Sequence, residues 1–301
     1  MQPRHWIVLI FVASALSLHL RGRERFGLLR ALTDYVVLLA PVNAVMVLFS
    51  RVSPNPYADP AKVYPELDVL QQQWQVIRAE AMALDEGGRI RAATGLNDVG
   101  FNSFFRTGWK RFYLKWYGED LASAQDSCPQ TVALLKSIPS IKAAMFASLP
   151  PGAKLVRHRD PYAGSLRYHL GLFTPNSPDC YIAVDGQRYH WKDGEAIVFD
   201  ESFIHHAENT TDQPRVILFC DVERPLYGSL LTAFNRWFGG TVMRAAASQN
   251  EPGEKIGAIN RAFDGVYRVR LKAKALKASH RRVYYAGKWL LIGGLVFLLV
   301  R

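Results

Sequence analysis

The region from residue 141 to residue 222 constrains the fold most, because short apolar runs recur there and turn signals separate them. An Asp-Gly dipeptide between two such runs, as at Asp185-Gly186, is a strong signal for a β-hairpin. The runs predict strands at residues 143–149, 154–158, 166–173, 181–184, 187–191, 196–199 and 216–222. Short strands with this punctuation are typical of a sandwich or barrel of the jelly-roll kind. The expected class is therefore mainly β.

The segments that flank this region are expected to be helical or irregular. Prolines mark residues 53–60 as a linker, since they disfavour helix and pair poorly in a sheet. Apolar residues recur every three or four positions over 65–84, which predicts an amphipathic helix. Another helix is predicted over 121–138, interrupted by a proline, and helices are expected again after Pro225. Aromatic and cationic residues nearly alternate over 101–117, which favours strands.

Two residues at the end of one predicted strand carry the chemistry. His158 and Asp160 are two positions apart, so in extended backbone an imidazole and a carboxylate point to the same side. His205, after a later strand, is the candidate for a third ligand, with His206 as its alternative if the register differs. Two histidines and one carboxylate form the facial triad that leaves positions open on a non-haem Fe(II) ion. The same ligands can also hold zinc with a bound water, which keeps a zinc hydrolase open.

An arginine at the start of the last predicted strand fits the iron interpretation better than the zinc interpretation. Oxygenases that use 2-oxoglutarate need a cation for the distal carboxylate of this co-substrate, and arginine offers two parallel hydrogen bonds. Arg215 is the candidate. In a zinc hydrolase this arginine would have no assigned task.

Four motifs between residues 141 and 225 resemble the aspartyl/asparaginyl β-hydroxylase family. They are PPGAKLVRHRDP, SLRYHLGL, VFDESFIH and RVILFCDV. The resemblance implies a double-stranded β-helix core of the jelly-roll or cupin-like kind. It also implies an enzyme, an Fe(II)/2-oxoglutarate-dependent dioxygenase, with dioxygen as the second co-substrate.

The resemblance assigns roles position by position. His158 and His205 match the family's iron-binding histidines. Asp160 stands where the animal protein hydroxylase has glycine, so a complete triad points away from that branch. Arg167 and His169 match residues that contact 2-oxoglutarate, and Arg215 matches the arginine that pairs with its distal carboxylate.

Hydrophobic segments at both ends predict an association with a membrane. Residues 6–20 form an apolar run that an arginine cluster follows, without a cleavage site, and a second apolar stretch covers 31–50, broken by Asp34 and Pro41. Another uncharged apolar run lies near the C-terminus, between Lys288 and Arg301. A spanning or deeply inserted helix is expected there. Whether both N-terminal stretches span, or one lies in the interface, stays open.

The charge distribution points to a membrane as well. Residues 251–301 contain eleven Lys or Arg against three Asp or Glu, and so carry +8 of the net charge of +11. Because this tail ends in an apolar run, attraction to an anionic membrane surface is favoured over binding to nucleic acid. No obligate protein partner is indicated. Three irregularly spaced cysteines fit neither a disulfide framework nor a zinc ribbon, which favours a reducing compartment.

These observations divide the chain into successive regions. Membrane anchor segments are expected over 1–52, a helical and aromatic lead-in over 53–140, the catalytic core over 141–225, a helical basic region over 226–287, and a hydrophobic membrane segment over 288–301. The two hydrophobic ends resemble the family's bacterial branch of lipid A 2-hydroxylases. That branch implies hydroxylation at C2 of a secondary acyl chain of lipid A or a related glycolipid.

Two other functions remain open for such a chain. One is β-hydroxylation of Asp or Asn in a protein, and the other is a non-catalytic, membrane-bound jelly-roll binding module. The expected location is the bacterial inner, cytoplasmic membrane, with the catalytic domain facing the cytoplasm, since arginine clusters stay on that side.

Overall fold

The computed structural model describes residues 2–33, 35–93 and 98–300 of the chain. Its strands are β1 (Tyr57–Ala58), β2 (Lys110–Trp116), β3 (Glu119–Asp120), β4 (Ile141–Leu149), β5 (Lys154–His158), β6 (Ser165–Phe173), β7 (Cys180–Val184), β8 (Gln187–His190), β9 (Ala196–Phe199), β10 (His205–Asn209) and β11 (Arg215–Glu223). Its α-helices are α1 (Pro3–Leu20), α2 (Leu28–Thr33), α3 (Ala40–Leu48), α4 (Pro60–Val63), α5 (Asp68–Gln72), α6 (Trp74–Glu86), α7 (Ala122–Ser127), α8 (Pro129–Ser137), α9 (Ser229–Phe238), α10 (Ala258–Ser279) and α11 (Arg281–Val300).

The strands form two antiparallel sheets. The larger sheet has the order β1-β9-β6-β11-β4-β2-β3, and the smaller has the order β5-β10-β7-β8. The last eight strands of the chain, β4 to β11, are therefore shared equally between the sheets. This winding is that of a double-stranded β-helix, or jelly roll. The prediction of a mainly β fold with flanking helices is confirmed.

Helices cover the outer face of the larger sheet, so its central strands are buried on both sides. Helix α6 packs against β6, and α8 packs against β4 and β2. Every residue of β4 from Ala143 to Leu149 is buried, as is every residue of β6 from Ser165 to Leu172. Strands buried on both faces read as continuous apolar runs rather than as alternation. This explains why residues 143–149 were recognisable as a strand.

Between residues 141 and 225 the predicted strands agree with the observed ones to within two residues at each end, but β10 was not predicted, although it carries His205. Strands β1 and β3 were not predicted either; β1 lies inside the predicted linker 53–60 and pairs with β9 at the edge of the larger sheet. The strands expected over 101–117 are limited to β2, since Phe105–Thr107 forms a 3₁₀ turn. The predicted helix over 65–84 begins as a 3₁₀ turn and continues as α5 and α6. The helix over 121–138 is interrupted as predicted, into α7 and α8.

The N-terminal apolar segments do not form two long helices. The second stretch, over 31–50, contains the end of α2, a 3₁₀ turn at Tyr35–Leu39, and α3, which packs against α1. Asp34, which was expected to break this stretch, lies outside the described residues, as does Arg301. Across residues 2–33, 35–93 and 98–300, none of the helices meets the combined requirements of length and apolar composition for crossing a bilayer. The prediction of a transmembrane helix is therefore not supported.

Candidate metal and co-substrate site

Three potential metal ligands converge where β5 ends and β10 begins. His158 is the last residue of β5, His205 is the first residue of β10, and the antiparallel register pairs the two directly. Asp160 follows His158 by two residues, and its Oδ1 atom lies 3.5 Å from His158 Nε2 and 3.7 Å from His205 Nε2. One ligand atom from each of the three residues lies within 4.8 Å of the others. The structure thus brings the predicted triad together, with His205 rather than its neighbour His206 in the cluster.

Both histidines are oriented by main-chain carbonyl groups. His158 Nδ1 lies 2.7 Å from the carbonyl oxygen of Val156, and His205 Nδ1 lies 3.0 Å from that of Phe203. A carbonyl accepts a hydrogen bond only from a protonated nitrogen, so each Nε2 carries the free lone pair. Such partners commonly fix the tautomer of a metal-binding histidine. Two Nε2 atoms and one carboxylate oxygen are therefore available to the same ion.

Arg167 fixes the third ligand. Its Nη2 atom donates to Asp160 Oδ2, so the other oxygen of the carboxylate, Oδ1, faces the histidines. The guanidinium also pairs with Glu201 and, through Nη1 at 2.9 Å, with Asp221. It lies over the ring of Phe219 with 3.8 Å between the guanidinium carbon and the ring centroid. Arg167 thus contacts three carboxylates within the protein and positions the metal-facing one.

The arginine and its three carboxylates form a buried charge cluster that cannot be fully ionised without a large desolvation cost. Burial raises the pKa of Glu201 well above its usual value and also raises the pKa of Asp221, although Arg167 opposes both shifts. Burial acts on Asp160 in the same direction, but the positive charge of Arg167 opposes it, and the pKa is lowered to about 2. Asp160 is therefore the carboxylate that stays ionised, as a metal ligand must be.

A cavity of about 40 Å³ opens beside the triad. Aromatic rings form much of its wall, among them Phe104 and Trp191. His169 and Arg215 also line it, and within the described residues His169 Nε2 and Arg215 Nε have no hydrogen-bond partner. Buried polar atoms without partners are rare in native proteins. A polar ligand in this cavity would satisfy both.

Arg215 is a buried cation without a protein carboxylate beside it among the described residues. Burial lowers its pKa to about 10, and its guanidinium carbon lies 4.2 Å from the ring centroid of Trp191. Trp191 Nε1 in turn donates to His169 Nδ1 at 3.4 Å, which leaves His169 Nε2 for the cavity. Burial and the positive charge of Arg215 lower the pKa of His169 well below its usual value, so this ring is neutral. The cavity thus offers one cation and one neutral imidazole to an anionic ligand.

The register of the larger sheet explains which residues share this wall. Arg167 is directly opposite Asp221, and His169 is opposite Phe219. Since side chains alternate along a strand, Arg167 and His169 project to one face, as do Arg215, Phe219 and Asp221. The sequence prediction that Arg167 and His169 share a face is confirmed. Alternation from Arg215 is the signal that could also have placed Asp221 on the cavity side.

The loop that carries Asp160 is held by helices outside the sheets. Asn43 of α3 donates to the carbonyl of Pro161 at 2.9 Å and accepts from the amide of Ala163 at 2.9 Å. Asn235 of α9 donates to the carbonyl of Gly164 at 2.8 Å. Both asparagines are buried. Helices α3 and α9 therefore set the path of the chain just after the metal-facing carboxylate, which sequence reasoning did not anticipate.

Comparison with known proteins gives the family. The model for the aspartyl/asparaginyl β-hydroxylase family matches residues 71–225, just over half of the chain. The chain belongs to this family. The match begins within α5 and ends after β11, so it includes all the triad and cavity residues named above.

Several known proteins are similar in sequence to part of this chain. An ornithine lipid ester-linked acyl 2-hydroxylase of Rhizobium tropici is 44% identical over 121 residues, which are 40% of this chain and 43% of that protein. Human aspartate beta-hydroxylase domain-containing protein 2 is 33% identical over 126 residues, which are 39% of this chain and 34% of that protein. The human aspartyl/asparaginyl beta-hydroxylase is 28% identical over 162 residues, covering 52% of this chain and 21% of that protein. The chain thus spans less than half the length of these relatives.

Among solved structures, a prolyl-4-hydroxylase of Pseudomonas putida aligns at 18% identity with a TM-score of 0.35, covering 55% of this chain and 99% of that chain.

The site of this β-hydroxylase family member fits a ferrous ion and a dicarboxylate co-substrate. The donor set is two neutral imidazole nitrogens and one ionised carboxylate, the set that non-haem Fe(II) oxygenases use. The unpartnered atoms of His169 and Arg215 lie in the cavity next to it. His158, Asp160 and His205 would hold the metal, while Arg215 and His169 would bind the co-substrate. Arg167 has its guanidinium engaged by protein carboxylates instead.

Proposed function

We propose that the protein is an Fe(II)/2-oxoglutarate-dependent dioxygenase that hydroxylates C2 of a fatty acyl chain on a bacterial membrane lipid. The observation that carries the oxygenase assignment is the juxtaposition of the His158, Asp160 and His205 ligand atoms with the unpartnered cation Arg215 in one cavity. Zinc hydrolysis would use the three ligands but would leave Arg215 and His169 unpartnered. A non-catalytic module would need none of these groups.

Two lipid headgroups fit the acyl-chain chemistry. The sequence motifs resemble lipid A 2-hydroxylases, and the secondary acyl chain of lipid A is our first candidate substrate. The 44% identical relative is named for an ester-linked acyl chain of ornithine lipid. Both substrates present an acyl C2 next to a carbonyl group, so the same iron site would serve either.

The bound iron would supply activation of dioxygen and cleavage of an unactivated C–H bond, while the protein positions and shields the reactants. In this arrangement Arg215 binds the distal carboxylate of 2-oxoglutarate, and the neutral His169 adds a hydrogen bond at its Nε2 atom. Val156 and Phe203 hold the tautomers of the two ligand histidines, and Arg167 holds Asp160. The aromatic wall excludes water from the reacting carbon, which limits unproductive turnover.

We further propose a location at the cytoplasmic face of the bacterial inner membrane. Arg21, which begins the arginine cluster after α1, pairs with Asp200 of the core at 2.6 Å. An α1 inserted into a membrane would then have the cluster and the catalytic core on the same side. Because arginine clusters near membrane segments remain in the cytoplasm, this contact supports a cytoplasmic site.

The deciding experiment is mass spectrometry of total lipids from bacteria with and without the protein, beside cells that carry Asp160→Ala. We expect one added oxygen on an acyl chain, located at C2 by fragmentation, and its loss in the variant. Asp212→Ala, at the tip of the exposed turn between β10 and β11, is the matched control and should retain the product.

The same experiment separates the alternatives. An oxygen on lipid A or on ornithine lipid identifies the headgroup. Lipids without added oxygen, together with 2-oxoglutarate turnover that a peptide stimulates, would favour protein β-hydroxylation and overturn the lipid proposal. Absence of 2-oxoglutarate turnover under any condition in an iron-loaded, folded protein would overturn the dioxygenase assignment itself.

A further inference from the structure

Helix α9 turns a face of large apolar residues towards solvent. Leu230, Phe234 and Trp237 recur at four- and three-residue spacing, so they form one stripe on the helix. The exposed fractions are 81% for Leu230 and 59% for Trp237. The opposite face buries Asn235 and Phe238 against the core. An amphipathic surface helix normally places polar residues on its solvent-facing side, whereas α9 places large apolar residues there.

The apolar stripe continues onto the end of α3. Tyr227, which is 61% exposed, donates its amide hydrogen to the carbonyl of Phe49 at 2.8 Å. Phe49 and Leu48 are exposed as well, the latter by 76%. Together Leu48, Phe49, Tyr227, Leu230, Phe234 and Trp237 make up what we call the α9 surface. Contiguous exposed patches of this kind mark interaction sites.

A cationic cavity of about 280 Å³ lies beside the same helix, with Asn235 and Arg236 of α9 in its wall. Lys115, Lys142 and Arg236 line it, and Glu223 is its one carboxylate among the described lining residues. Glu223 pairs with Lys142 at 2.8 Å and with Arg236 at 3.0 Å, while Lys115 forms no ion pair in the described part of the chain. The cavity therefore keeps a positive excess. Arg51 adds another cation, with its guanidinium 5.8 Å from the Tyr227 ring.

We propose that the α9 surface docks on an anionic lipid bilayer, with the adjoining cavity receiving a negatively charged lipid headgroup. Tyr, Trp and Phe are the side chains that favour the depth of the bilayer interface. Cations beside the apolar patch suit an anionic leaflet, where each contributes on the order of a fivefold gain in binding. A protein partner or a second copy of the chain could also cover these apolar groups. Neither would require the cation of Lys115, which forms no ion pair in the described part of the chain.

Docking there would bring a bilayer against helices that also contact the loop of the metal ligand Asp160. Helix α9 and helix α3 are the two helices that hold the loop next to Asp160, through Asn235 and Asn43. The inference deepens the proposed function, because an acyl substrate must be drawn from a membrane. Its test is nevertheless independent of turnover.

The test uses the full chain with an environment-sensitive fluorophore at one introduced cysteine. Leu230→Cys places the fluorophore on the α9 surface, and Asp212→Cys is the matched control at the opposite end of β11. The native Cys128, Cys180 and Cys220 are buried and so are protected from labelling in the folded protein. Vesicles consist of phosphatidylcholine alone or of phosphatidylcholine mixed with phosphatidylglycerol.

We expect the emission of the fluorophore at residue 230, and not that at residue 212, to shift to shorter wavelength with the anionic vesicles. Adding Lys115→Gln should weaken this binding about fivefold, and Trp237→Gln should weaken it more than Trp237→Leu. An unshifted emission at residue 230 would overturn the proposal. So would a shift that appears without vesicles as the protein concentration and its molar mass rise, because that result identifies a second copy as the occupant.

The outcomes also separate this proposal from the proposed function. If the emission shifts with vesicles but the lipids of cells that carry the protein gain no oxygen, the docking proposal is retained and lipid hydroxylation is rejected. In the reverse case, an acyl 2-hydroxylase with an unshifted fluorophore would retain the enzyme assignment and reject the α9 surface as its docking site.

Discussion

Arg167 shows how one side chain can serve a metal without touching it. Its guanidinium holds Asp160 by one oxygen and is itself held by Glu201 and Asp221. A lysine at this position would keep the charge but lose the planar fork that contacts several carboxylates at fixed angles. Arg167 is thus a positioning residue for the carboxylate ligand.

We predict that Arg167→Lys lowers the affinity for Fe(II) or Mn(II) about 10- to 100-fold, the usual cost of losing an outer-shell partner. The measurement is a metal titration of the purified variant, beside Arg188→Lys, which changes an exposed arginine in β8. Unchanged metal affinity with weakened 2-oxoglutarate binding would instead support the direct co-substrate contact that the family resemblance implies.

Arg215 lowers the stability of the folded protein but provides the cation for the proposed 2-oxoglutarate site. Burial lowers its pKa from the ordinary value of an arginine to about 10, so the folded state disfavours its charge at every pH below about 10. Replacing a buried cation by an apolar chain of similar length often stabilises a protein.

We therefore predict that Arg215→Met leaves the free energy of unfolding unchanged or raises it by about 1–3 kcal/mol, while the KM for 2-oxoglutarate rises at least about tenfold. Urea unfolding of the metal-free protein and steady-state kinetics give the two quantities. A clear loss of stability would mean that the cation–π contact with Trp191 outweighs the cost of desolvation.

At the scale of elements, the strands that could be predicted are those whose burial depends on apolar side chains. Residues 154–158 and 196–199 were delimited correctly, and β4, β6 and β11 nearly so. Strand β10 was missed because its residues, His-His-Ala-Glu-Asn, carry almost no apolar signal. It is a strand because it pairs with both β5 and β7, and such pairing depends on distant residues.

Gly171 gives a test of how closely the strands pack. A Cβ atom at this position of β6 would lie 2.0 Å from the carbonyl oxygen of Lys192, in the turn before β9. The backbone itself must move to admit a methyl group there.

We predict that Gly171→Ala lowers the free energy of unfolding by about 1–3 kcal/mol, the usual cost of overpacking. Gly27→Ala is the matched control, since a Cβ at Gly27 meets no atom within 4 Å. Chemical denaturation compares both with the parent protein, and equal stability of the two variants would contradict the close approach.

At the scale of the whole molecule, the N-terminal segment belongs to the fold. Arg21 and Arg224, more than two hundred residues apart in the chain, both pair with the buried Asp200, at 2.6 and 2.8 Å. In the sequence analysis, the arginines after α1 served only to predict which side of a membrane the catalytic domain faces. Local patterns of charge cannot reveal an ion pair between residues so distant, which is why this part of the structure was not predictable.

The Asp200 cluster predicts sensitivity to acid. Burial would raise the pKa of Asp200, but Arg224 and Arg21 outweigh it and lower the pKa below the ordinary value of 3.8. A carboxylate with a lowered pKa stabilises the folded state above about pH 4, and this stabilisation is lost as the pH falls towards the lowered value.

We expect Asp200→Asn to lose about 3 kcal/mol or more at pH 7, because two arginines remain without their carboxylate. We also expect its unfolding free energy to fall less steeply than that of the parent protein between pH 5 and pH 3. Denaturant titrations across this range test both points, and parallel pH profiles would show that another group controls the acid response.

The two bonds of Asn43 have a thermodynamic consequence. They join α3 to the residues on either side of Tyr162, just beyond the carboxylate that faces the metal. An interaction that fixes the position of α3 therefore also restricts the conformations of the loop that carries Asp160. Metal binding by Asp160 restrains α3 in return. Such linkage is reciprocal by necessity. Binding of the protein to a surface through α3 and binding of the metal ion would then be cooperative, and each would raise the affinity of the other by the same factor.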